Sequence, residues 1–211
     1  VEAGNAFHLP AAKMEVLYNP CPVVMPSVYE EREKYILFAG TLTHRKGYDD
    51  LIKAFSAIAD KHPEWRLKLA GNGEIENGKR LANELGIDNR VDFLGWVNGA
   101  DKDIVFRKAS IYCLPSYSEG FPMGVLDAWA YHLPVVTTPV GGIPDVGIDG
   151  VNMMLFTPGD IEALRNRLTI LMEDDKCYRK MASASHYFAE HKFNIRDIAG
   201  QLYGIYDSLI R

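Results

Sequence analysis

Residues 110–140 read SIYCLPSYSEGFPMGVLDAWAYHLPVVTTPV, and this stretch decides the fold. SIYCLPS (110–116) and PVVTTPV (134–140) are short apolar runs rich in β-branched and aromatic residues, the composition of buried strands. Between them, 122–131 fits a helix, with Pro122 tolerated in its first turn because the missing N–H has no intrahelical partner there. A strand, a helix and a second near-continuous apolar strand form the unit of a parallel sheet covered on both faces.

The same alternation extends in both directions. Strand-sized runs recur as ILFAG (36–40), RLKLAG (66–71), VDFLGW (91–96) and NMMLF (152–156). Between the first two, Tyr48, Leu51, Ile52, Phe55, Ile58 and Ala59 fall on one helical face. Similar helices fit 77–86, 100–109 and 160–173. The fold class is therefore α/β, a Rossmann-like doubly wound parallel sheet of about six strands. After residue 173 no strand signal remains, and Ile195, Ile198, Ala199, Leu202, Ile205, Tyr206 and Leu209 repeat as a long amphipathic C-terminal helix. Residues 1–34 hold four of the eleven prolines and no periodic pattern. They read as a linker or the tail of a preceding domain, and 35–211 as the domain itself. The chain begins at Val1, which raises the expectation that it is part of something longer.

Composition narrows the function. With 47% hydrophobic and 24% charged residues over 211 positions, the chain has apolar surface enough for a full core. The net charge of −5 argues against a generic nucleic-acid or anionic-membrane surface, so an anionic ligand must be met by local cations or backbone amides. Cys21, Cys113 and Cys177 match neither a disulfide framework nor a zinc pattern, which points to a reducing cytoplasm. No apolar run approaches the roughly 18 residues of a membrane span.

Ligands of open parallel sheets sit at the carboxyl ends of the strands. In the first such loop, GTLTHRKG (40–47), Arg45 and Lys46 stand where the next helix begins; they are either a solvated pair or a phosphate site. Gly71 and Gly73 of the second loop allow close backbone approach or simply turn the chain. After the third strand, the backbone at Val97 can pair with a base, while Trp96 is read as packing. The fourth loop places Glu119 and Gly120 before a helix start expected near 121–122, with the amides of Phe121, Pro122's successors Met123 and Gly124, and Val125 facing outward as an anion site. Glu119 alternatively stabilises that helix end. Asp127, an acid in an apolar helix, needs a partner, with a backbone amide as the plain alternative. In the fifth loop, PVGGIPDVGIDG, the glycine pair fits a tight turn. Asp101 and Asp103 form the only Asp-x-Asp and read as first-turn carboxylates rather than metal ligands.

Taken together, GTLTHRKG, GNGE, RVDFLGWV and the run from PSYSEGFP to FTPGD resemble the carboxy-terminal, donor-binding domain of the retaining glycosyltransferases of GT-B fold, the group 1 or family 4 type. The resemblance covers about 35–210, and VLYNPCPV resembles the family's interdomain segment. It implies a nucleotide-diphosphate-sugar donor and no metal or other cofactor. It also implies a glycan or lipid-linked acceptor, as in polysaccharide biosynthesis, bound through an amino-terminal domain missing from this chain, with peripheral contact at a membrane surface left open. By the same resemblance Lys46 meets the diphosphate, Glu119 the transferred sugar and Asp127 the ribose. The implied donor set is Thr41, Arg45, Lys46, Gly73, Val97, Glu119, Gly120, Phe121, Pro122, Met123, Gly124, Val125 and Asp127, with Glu119 and Lys46 catalytic. Three positions depart from the pattern: Thr41 stands for a usual arginine, Asp127 for a usual glutamate, and Met153 for a common glycine. Two rivals remain, a sugar-nucleotide epimerase of related architecture and a non-catalytic donor-binding subunit.

Overall fold

The structure is a computed structural model and describes residues 15–22, 24–25 and 32–210. Six strands, β1 (Tyr35–Ala39), β2 (Arg66–Ala70), β3 (Val91–Gly95), β4 (Ile111–Leu114), β5 (Val135–Thr137) and β6 (Met154–Leu155), form one sheet in the order β3-β2-β1-β4-β5-β6. Every pairing is parallel. Each strand falls within or one residue beside an apolar run of the sequence, because strands covered on both faces must be apolar throughout. Ile36, Leu37 and Phe38 of the central β1 are fully buried; truncating such a residue to alanine costs about 2–5 kcal/mol.

The helices are α1 (Tyr48–Ala59), α2 (Ile75–Glu84), α3 (Gly99–Lys108), α4 (Met123–Ala130), α5 (Ile143–Val146), α6 (Ile161–Glu173), α7 (Asp175–His191) and α8 (Ile195–Ile210). The β1–α1–β2 crossover advances one way along the sheet and β4–α4–β5 the other, so right-handed connections put α1 and α4 on opposite faces. There α1 packs on α2 and α6, and α4 on α7. Sequence reading assigns no helix to α7. Its buried face, Met181, Ala182, Ser185 and Ala189, is made mostly of small residues that give a weak apolar stripe. Its start is nonetheless marked, since the Asp174 carboxylate accepts from the Cys177 amide. The four-residue α5 within the fifth loop is likewise additional to the turn expected there.

The described part of the leading segment has no regular secondary structure, yet it is fastened to the domain. Cys21 is buried, with its amide bonded to the Phe193 carbonyl at 2.7 Å, and the Met25 amide reaches the Ala130 carbonyl at 2.9 Å. The remainder of 1–34 lies outside the described residues. Among the described residues no helix is long and apolar enough to cross a membrane.

Candidate functional site

Strands β1 and β4 lie side by side, and the connections that follow them leave in opposite directions, which opens a crevice at their carboxyl ends. A cavity of about 600 Å³ occupies it. Its wall includes Gly40 and Thr41 after β1, Gly71 after β2, Trp96, Val97 and Asn98 after β3, and Glu119 with the start of α4 after β4. A second cavity, of about 640 Å³, is lined by Lys34, Trp65 and Ser110, which precede β1, β2 and β4, and so lies at the opposite, amino end of the sheet.

The loops after β1 and β4 are clamped together by backbone. His44–Lys46 form one 3-10 turn that ends at Gly47 with φ +70°. A Cβ at Gly47 would lie 2.1 Å from the Pro115 carbonyl oxygen, so only glycine permits this approach. The Tyr117 amide donates to the Arg45 carbonyl at 2.8 Å, and Arg45 Nη1 donates to the Ser118 carbonyl at 2.7 Å. Lys46 is thereby brought to Glu119, with Nζ 2.5 Å from Oε1, while the Ser116 hydroxyl donates to that same oxygen at 2.6 Å. The two charged side chains are only 17% and 7% exposed.

Helix α4 starts later than expected. Pro122 is its extended N-cap residue, and Met123 is the first helical position. The Val125 amide is bonded to the Pro122 carbonyl at 3.0 Å and its side chain is fully buried. Val125 therefore drops out of the expected run of outward amides from Phe121 to Val125, and Pro122 has no N–H to offer. The Phe121 ring lies tilted 5.2 Å from Tyr18 and stacked 5.8 Å from Phe193. Gly124 lets α4 press on the sheet, since a Cβ there would sit 2.0 Å from Tyr112 Oη. That hydroxyl bonds the Ala39 carbonyl at 3.2 Å. Burial pushes the Tyr112 phenol far above its usual range, and the Asp127 and Glu119 charges add to this, so it stays protonated.

Asp127 finds its partner in a side chain rather than a backbone amide. Lys102 Nζ of α3 lies 2.7 Å from its Oδ2. Sequence reading passed over Lys102 as the spacer between Asp101 and Asp103. The spacing of α3 sets Lys102 one turn after Asn98 at the cavity lip, but no pattern within the helix names its partner. Of the two acids, Asp101 does sit in the first turn of α3. Asp103 lies further along, bound to Arg107 at 3.3 Å and to the Tyr131 hydroxyl at 2.9 Å. Among the described residues no group of three or more His, Cys, Asp or Glu side chains gathers where a metal ion would be held.

Of the residues singled out from the sequence, Thr41, Lys46, Val97, Glu119, Phe121, Pro122, Met123, Gly124 and Asp127 share the cavity wall. Gly73 faces a separate shallow depression beside Glu74 and Phe93, and Gly71 takes the place in the wall. Arg45, Gly120 and Val125 are not part of the wall. Trp96 overturns its reading as packing, for it is 69% exposed at the cavity rim. In the fifth loop, Asp145 accepts from the Tyr18 hydroxyl at 2.9 Å. The charged side chains of the wall, Lys46, Lys102, Glu119 and Asp127, cancel in pairs. An incoming anion thus meets helix amides and the N–H groups of Lys46 not spent on Glu119, not a standing positive patch.

Residues 26–186 match the family described as Glycosyl transferases group 1. The chain belongs to that family. It is similar to an uncharacterized glycosyltransferase of Haemophilus influenzae, 35% identical over 174 residues that make up 82% of this chain and 48% of the relative. It is 34% identical over 187 residues to the D-inositol 3-phosphate glycosyltransferase of Corynebacterium jeikeium, covering 84% of this chain and 44% of that protein. The chain thus spans about half the length of the curated relatives it matches. Anabaena HepE, solved in complex with UDP and glucose, superposes with a TM-score of 0.85 at 23% identity, covering 98% of this chain and 60% of that one. The six-stranded parallel sheet is the Rossmann-like fold of the GT-B glycosyltransferases.

Proposed function

We propose that this chain is the donor-binding half of a retaining glycosyltransferase that takes a nucleotide-diphosphate sugar and passes the sugar to a glycan or lipid-linked acceptor. The observation that carries the reading is the Lys46–Glu119 pair beside the first turn of α4, at the switch point of the sheet. Transfer breaks the bond between the sugar and a phosphate oxygen, so negative charge grows on the diphosphate and positive charge on the ring. Fixed donors aimed at a developing anion supply a large part of catalysis. Lys46 and the amides of Met123 and Gly124 hold that place here, and the reading routes no step through a metal ion. Glu119, poised beside them, faces the ring carbon side and opposes its positive charge. Asp127 and Lys102 stand where the ribose is held, and the Val97 backbone where the base pairs. Family membership supports nucleotide-sugar chemistry.

In this reading the acceptor is positioned by a preceding domain, in the cytoplasm and at a membrane surface where the acceptor is lipid-linked. Orientation of two reactants and exclusion of water account for up to ~7–11 kcal/mol of barrier lowering. The 211-residue chain is accordingly expected to bind donor and transfer nothing. Calorimetry with UDP, GDP and ADP and their sugars tests the binding. Incubation with donor and candidate acceptors, beside the same assay on a longer chain with a preceding domain, tests the rest. Failure to bind any nucleotide diphosphate, or efficient transfer by this chain alone, overturns the proposal.

A further inference from the structure

We infer that Ser116 is a positioning residue that dictates which oxygen of Glu119 meets the donor. The inference rests on the donor-site reading above. Ser116 is fully buried just past the end of β4, and the Thr138 hydroxyl, also fully buried, donates to its carbonyl at 2.5 Å. Its backbone is therefore tied to the residue that follows β5, and its own hydroxyl is aimed at Glu119 Oε1, 2.6 Å away. Lys46 Nζ sits on that same oxygen at 2.5 Å. A carboxylate offers about four acceptor positions over its two oxygens. Both donors here crowd onto Oε1, and no donor among the described residues is bonded to Oε2. With Oε1 turned toward the protein, Oε2 is the oxygen left to accept a hydroxyl of the sugar.

The two donors on Oε1 do different work. A diphosphate attracts Lys46, and a carboxylate held by Lys46 alone would follow the ammonium when it moves. The Ser116 hydroxyl carries no net charge to be drawn away, and its backbone is anchored, so Glu119 keeps its orientation while Lys46 serves two partners. Ser116 thus governs recognition of the sugar and leaves recognition of the diphosphate to Lys46 and α4.

The test is the ratio of dissociation constants for a sugar nucleotide and its bare diphosphate, measured by calorimetry with UDP-glucose and UDP, GDP-mannose and GDP, and ADP-glucose and ADP. For the pair that the unaltered chain binds best, Ser116→Ala is expected to shift the ratio about 3- to 10-fold against the sugar nucleotide, the worth of one hydrogen bond, while affinity for the bare diphosphate stays within about twofold. Ser116→Cys, close in volume but a weak donor, should shift it likewise, and Ser116→Thr, which keeps the hydroxyl, should restore it. A ratio unchanged in Ser116→Ala, or an equal loss for both ligands, overturns the positioning role and leaves the donor site standing. Absence of binding by the unaltered chain to every pair overturns the donor-site reading itself, and this inference with it.

Discussion

Lys102 Nζ lies 2.7 Å from Asp127 Oδ2 and ties the first turn of α3 to the middle of α4 at the edge of the cavity. Asp127 is 13% exposed and Lys102 37%, so the pair is reachable by a ligand yet sheltered enough to hold its geometry. A ribose with two vicinal hydroxyls can bond the carboxylate without displacing the ammonium. Asp127→Ala is expected to weaken a ribonucleoside diphosphate about 10- to 150-fold, the worth of a hydrogen bond to a charged group. The 2′,3′-dideoxy analogue should lose little. Equal losses for both ligands in calorimetry would assign Asp127 to holding Lys102 and nothing more. Asp127→Glu, reaching one methylene further, should bind at least as well as the unaltered chain.

Lys46→Ala should cost about 10- to 150-fold in nucleotide-diphosphate affinity, from a charge-assisted bond of ~1.5–3 kcal/mol. It also strands Glu119, which is only 7% exposed, so the melting temperature should fall as well. Adding Glu119→Gln removes the stranded charge. The double variant is therefore expected to recover stability and not binding, and a recovery of both would show that Lys46 acts only through Glu119. Arg45→Ala should behave in the opposite way. Its guanidinium is spent on the Ser118 carbonyl, so it should lower stability slightly and leave affinity unchanged.

Trp96→Ala should weaken nucleotide binding about 2- to 10-fold, as expected for an aromatic face lost from a ring contact worth ~0.5–1.5 kcal/mol. The indole is 69% exposed, so its removal should leave the melting temperature where it was. A clear fall in stability, measured by thermal unfolding without ligand, would instead return the residue to packing.

The sheet was legible because its strands are buried on both faces, and burial on both faces forces runs such as ILFAG and IYCLP that stand out against amphipathic helices. The lining of the cavity was legible where loop position alone places a side chain, as for Lys46 and Glu119 after strand ends. What escaped depended on pairing between distant elements. The Lys102–Asp127 bond joins two helices, and neither periodicity nor charge spacing within one of them reveals a partner in the other. Arg45 and Lys46 are adjacent in sequence and alike in charge, yet one fastens a loop and the other enters the cavity, a difference set by the 3-10 turn at 44–46. Trp96 was misread because an indole is usually buried, and only the shape of the β3–α3 loop leaves it at a rim.

His132 follows α4 with a positive φ of 57° and is 4% exposed. Its ring centroid lies 4.1 Å from that of His186 on α7, which faces Glu190 at 3.2 Å. Burial pushes its pKa down to about 4, with the His186 and Arg32 charges adding to the shift and a hydrogen bond to the Met25 backbone and the Glu190 charge opposing it. In an unfolded chain the imidazole titrates near 6.5. The folded-state pKa is the lower of the two, so the unfolded chain binds the proton first, and the stability due to neutral burial is complete above about pH 6.5 and lost as pH falls toward 4. The whole effect is about 3 kcal/mol, from a slope of at most about 1.4 kcal/mol per pH unit. His132→Asn tolerates the same left-handed backbone and carries no proton. Urea unfolding of both forms at pH 7.5, 6, 5 and 4 should show the advantage of the histidine form shrinking by that amount, whatever its value at pH 7.5. His186→Gln, which removes one neighbouring charge, should raise the lower edge of the window and reduce the loss. A difference between the two forms that stays constant across this range would show that His132 titrates in the native state as it does in the unfolded chain, with no penalty from burial.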